Sequence, residues 1–70
     1  MENSLERTMA NLFLVDNNDT NIYKLNRSAI NYFYSLPSHT KNQMDISYFW
    51  GLVVKKWAAR QELKKEYNNA

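Results

Sequence analysis

The sequence predicts an all-α protein: a compact bundle of three helices with a long C-terminal helix. Three observations lead there. The 70 residues include one Gly and one Pro, whereas an all-β domain needs turn residues at every hairpin. Apolar residues recur at three- and four-residue spacing in three separate stretches, the period of one helix face. Each stretch also follows residues whose side chains can cap free helical amides.

The first helix is expected over residues 4–15. Asn3 stands three residues before Glu6, a cap with a glutamate able to reach back to it. Leu5, Met9, Leu12 and Phe13 then share a face, and Asp16-Asn17-Asn18-Asp19 ends the helix, because such side chains compete for backbone hydrogen bonds. The second helix, over residues 20–36, takes Asp19 or Thr20 as its cap. Ile22, Leu25, Ala29, Phe33 and Leu36 form its inner stripe, with Tyr23, Ile30 and Tyr34 in a second stripe alongside. Pro37 closes it, since the residue before a proline avoids helical angles.

The third helix is expected over residues 41–67, opened by a Thr40-x-x-Gln43 capping box. Its second half is rich in strong helix formers. Residues 46–54 are β-branched and aromatic and contain Gly51, a composition that also suits a short strand or a kink. No second strand offers itself as a partner, so the helical reading is kept. Ile46, Phe49, Trp50, Val53 and Trp57 make a stripe assigned to the core, and Tyr48, Leu52, Ala59 and Leu63, extended by Tyr67, make another.

A chain of this length forms one domain and buries only about 60% of the surface its unfolded form exposes. Small scaffolds add disulfides, a metal, aromatic packing or self-association. There is no Cys, and His39 is the only histidine, too few ligands for structural zinc. Aromatic residues make up 14% of the chain, which leaves aromatic packing or self-association to stabilise it. The longest apolar run, residues 48–54, is far short of the roughly 20 residues that span a bilayer. The first residues lack the basic start and apolar run of a secretory signal, so the expected location is intracellular, in the cytoplasm.

Catalytic chemistry is thinly supplied. His39 lies in a polar inter-helix segment without a neighbouring carboxylate, and a nucleophile needs an adjacent base and an orienting group. Glu2 and Glu6 suit a first helical turn, and a single glycine cannot build a phosphate-cradling loop. The reading is a non-enzyme without cofactor, metal or small-molecule substrate.

Charge is unevenly spread. Up to Tyr23 four carboxylates face one Arg, and from Lys24 onward eight bases face three carboxylates. That gradient points towards an anionic partner. Large apolar and aromatic side chains number about two dozen, more than three short helices can enclose. The expected function is therefore a small protein-binding regulator or adaptor, of the inhibitor or accessory-protein type, self-association as a homodimer included. Its interface residues would be Tyr23, Ile30 and Tyr34 on the second helix and Leu52, Leu63 and Tyr67 on the third. The alternative is nucleic-acid binding through Lys55, Lys56, Arg60, Lys64 and Lys65, flanked by Arg27 and Lys41.

Overall fold

The computed structural model describes residues 4–68, with side chains as far as Lys65. The described residues fold into α1 (Leu5–Asp16), α2 (Ile22–Ser35), a single-turn α3 (Ser38–Asn42) and α4 (Ile46–Asn68). The fold is all-α, and α4 is its spine.

The three longer helices start where a short polar side chain captures the first free amides, whereas α3 starts at Pro37 without a side-chain cap. Ser4 Oγ accepts from the Arg7 amide at 3.1 Å and caps α1; the expected cap, Asn3, lies outside the described residues. Asn21 Oδ1 accepts from the amides of Tyr23 and Lys24 and caps α2, in place of Asp19 or Thr20. The largest departure from expectation is at the third helix. Thr40 sits inside α3 and Gln43 ends it, so the capping box does not form. Asp45 opens α4 instead, its Oδ1 accepting from the amides of Ser47 and Tyr48 at 2.9 and 3.3 Å. Two helices replace one because Asp45 takes the amides that would otherwise continue the turn, while Met44 beside it drops into the core. Residues 46–54 are helical throughout, and Gly51 causes no break.

Hydrogen bonds far apart in sequence fix the helix directions. The Asp45 amide donates to Glu6 Oε2 at 2.8 Å at one end. At the other, Lys56 Nζ donates to Asn11 Oδ1 and Arg60 Nη1 to the Leu14 carbonyl, so α1 runs parallel to α4. Trp57 Nε1 donates to the Asp19 carbonyl at 2.6 Å, beside the start of α2. Near the other end of α2, Phe33 meets Phe49, so α2 runs antiparallel to both.

The core is aromatic at its centre. Phe13, Tyr32, Phe33 and Phe49 form a linked cluster with centroid separations of 5.3 to 6.4 Å. Edge-on and offset pairs of this kind add about 0.5–1.5 kcal/mol each beyond their buried area. Phe13 and Phe49 are fully buried together with Leu14, Leu25 and Val53, while Tyr32 is partly buried. Tyr32 belongs to this cluster although neither stripe read on α2 included it. Its hydroxyl donates to Met9 Sδ at 3.8 Å, and burial, then the Asp16 carboxylate, push its pKa up. Ile46 departs from the stripe assigned to the core and is 38% exposed, while Trp50 and Trp57 are half-buried against it.

At about 1.5 Å per residue, the 23 residues of α4 outrun the 12 of α1 and the 14 of α2. Val53 is the last buried residue among its described side chains, and residues 62–65 are exposed. No helix among the described residues is long and apolar enough to cross a membrane.

Candidate functional site

The interior cannot take every apolar side chain of so short a chain. Leu12, Val15, Tyr23, Ile30, Tyr34, Tyr48 and Leu63 are exposed. Three of them fall together. Leu25, Ala29 and Phe33 turn one side of α2 to the core, which leaves Tyr23, Ile30 and Tyr34 in line on its outer flank, 82%, 42% and 65% exposed.

Ile30 of that stripe also lines an apolar groove between α2 and the start of α4. Asn26, Ala29 and Ile30 form one wall, Ile46, Ser47, Phe49 and Trp50 the other, around a space of about 230 Å³. Ile46 and Trp50 were expected as core. They line this groove because α2 docks on the Phe49 and Val53 face of α4 and leaves the adjoining side only partly covered. The edge of the stripe is basic: Lys41 Nζ lies 5.7 Å from the Tyr34 ring centroid and donates to the Tyr34 carbonyl at 3.4 Å.

Of the second expected set of interface residues, two side chains are described. Leu52 packs against the core from its partly buried position, Leu63 is exposed on the part of α4 beyond the bundle, and the side chain of Tyr67 lies outside the described residues.

The basic residues divide in the same way. Of the set expected to bind nucleic acid, Lys56 and Arg60 turn to α1. Lys56 bonds Asn11 at 2.6 Å, and Arg60 closes the Leu14 carbonyl at 2.9 Å. Neither α1 nor α2 has a basic residue in its last turn. Arg60 and Lys41 supply those cations from later in the chain, where free carbonyls and the helix dipole favour positive charge. Both were expected to flank or form a nucleic-acid surface, and both hold helix ends. Lys55, Lys64, Lys65 and Arg27 are exposed. His39 is exposed on α3, and no group of three or more His, Cys, Asp or Glu among the described residues is placed to hold a metal ion.

Sequence reasoning had a signal for two of the misplaced residues. Tyr32 stands three residues after Ala29 and seven after Leu25, positions on the buried face. Asp45 immediately precedes the apolar run at Ile46, the place where a cap belongs.

Comparison of the chain with protein-family models, curated proteins and solved structures gave no match.

Proposed function

We propose that this chain is a small non-enzymatic binding module that engages another protein through the outer flank of α2 and the adjoining groove on α4, acting as a regulator or adaptor. One observation carries the reading: Tyr23, Ile30 and Tyr34 are exposed in line, and Ile30 of that stripe also walls the groove with Ile46 and Trp50. Tyr, Trp and Arg are the side chains most enriched among those that dominate binding energy. Arg27 stands exposed between Tyr23 and Ile30, and Lys41 is held at Tyr34. Apolar anchors in the groove would supply affinity, and the flanking cations would orient the partner and speed encounter.

A photo-reactive benzophenone side chain at position 30 tests this in the producing cell, with position 24, an exposed lysine of α2, as control. Covalent adducts should form from position 30 and be absent from position 24, and their mass distinguishes a second copy from another protein. Ile30→Glu with Tyr34→Glu should remove the partner while helicity by circular dichroism stays unchanged, since both side chains are exposed. Equal or absent crosslinking at the two positions refutes the reading.

A further inference from the structure

A second groove lies on the other side of α4 and has different chemistry. It runs between α1 and α4 around a space of about 270 Å³, with Arg7 and Asn11 on one wall and Lys55 and Lys56 on the other. Its floor is apolar, and its lining includes no carboxylate. The nearest acidic neighbour of Arg7 in sequence, Glu6, is occupied by the Asp45 amide.

Three cations delivered by two helices to one cleft repel each other, which opposes folding. Nothing in the lining offsets that repulsion from within. Asn11 accepts from Lys56 Nζ and fixes that side chain at the groove, while its own NH2 group remains able to donate. Such a cleft is completed by an anion, and cations on both of its walls suit a chain of anions better than a single ion. Lys and Arg are the usual partners of phosphodiester oxygens. Tyr48 precedes Leu52 of the groove by one helical turn, on the same flank of α4, and is 45% exposed. An exposed ring beside a cationic track is a platform for an unpaired base.

We infer that the groove between α1 and α4 binds single-stranded nucleic acid, with Arg7, Lys55 and Lys56 on successive phosphates and Tyr48 stacked on a base. Arg60 takes no part, because it does not line the groove, whereas Lys56 does and keeps ammonium hydrogens beyond the one given to Asn11. The site is separate from the apolar flank of α2.

The test is fluorescence anisotropy of end-labelled oligo-dT and oligo-U titrated with the full chain at several NaCl concentrations. Three phosphate contacts give a slope of log affinity against log salt of about −2, at roughly −0.7 per contact on a single strand. Arg7→Gln with Lys55→Gln should bring the slope to about −0.7 and lower affinity at low salt about tenfold or more. Tyr48→Leu should weaken binding several-fold with the slope kept, and Lys24→Gln on α2 should alter neither. Circular dichroism of each variant confirms that it is folded. No anisotropy change at low salt overturns the inference. So does an affinity unmoved by the Arg7 and Lys55 substitutions, or a poly-glutamate peptide that binds as tightly as the oligonucleotides; the last result would assign the groove to an acidic protein segment.

Discussion

Gly51 occupies an interior turn of a 23-residue helix, where glycine is about 0.8–1.0 kcal/mol worse than alanine. A fold retains such a residue when backbone angles or close packing require it, and neither applies here. No residue among those described has a positive φ, and a Cβ added at Gly51 meets nothing within 4 Å beyond its chain neighbours and the adjoining helix backbone. Gly51→Ala should therefore gain the whole propensity difference, about 1 kcal/mol, mostly by narrowing the unfolded ensemble. For a domain whose total stability is on the order of 4–10 kcal/mol, that is a large increment. The melting temperature should rise by about 4–8 °C. In urea the midpoint should move up with the slope unchanged, the signature of a stability change without a change in exposed surface. Both are read by circular dichroism at several protein concentrations. An unchanged or lowered melting temperature refutes the reasoning, for it means that something occupies the space beside Gly51 in solution. A loss that deepens with concentration would identify the occupant as a second copy.

Two further substitutions probe the tertiary bonds. Arg60→Met keeps the aliphatic stem but removes a charged donor from the Leu14 carbonyl. A bond of that kind contributes about 1.5–3 kcal/mol when shielded, so about 1–2 kcal/mol is expected at this half-exposed position, read by urea unfolding and by faster amide exchange in the last turn of α1. A neutral effect on stability combined with lost oligonucleotide binding would instead place Arg60 on the ligand surface. Tyr32→Phe tests the partly buried phenol. Burial, then the Asp16 carboxylate, raise its pKa above the ordinary value near 10, so the folded state holds the proton more tightly than the unfolded chain. The resulting stabilisation is complete below about pH 10 and is lost as pH rises through the folded value. Stability of the wild type should fall more steeply than that of Tyr32→Phe between about pH 9 and 11, and parallel curves would show that the hydroxyl is hydrated.

Much of the secondary structure was legible because it depends on near neighbours. The stripe Leu25, Ala29 and Phe33 was read as the inner face of α2 and is buried. The excess of apolar side chains over interior space was also visible, and Tyr23, Ile30 and Tyr34 are where part of it emerges. The errors at helix starts came from choosing among adjacent polar side chains that can all cap. Thr40 with Gln43 and Asp45 compete for the same stretch of chain, and burial of Met44 favours the break at Asp45.

The sequence alone determined that the chain is helical, roughly where its helices lie, and that part of its apolar surface stays uncovered. Those outcomes follow from local hydrogen bonding, side-chain period and the ratio of surface to volume. Only the tertiary structure decided that Ile46 and Trp50 would wall a groove, that Arg60 and Lys56 would serve α1, and that Arg7 would join Lys55 across a cleft. The bonds that sort these residues join positions 38 to 46 apart in sequence. A helical wheel gives the face each side chain occupies, but which neighbour that face meets depends on how the helices dock.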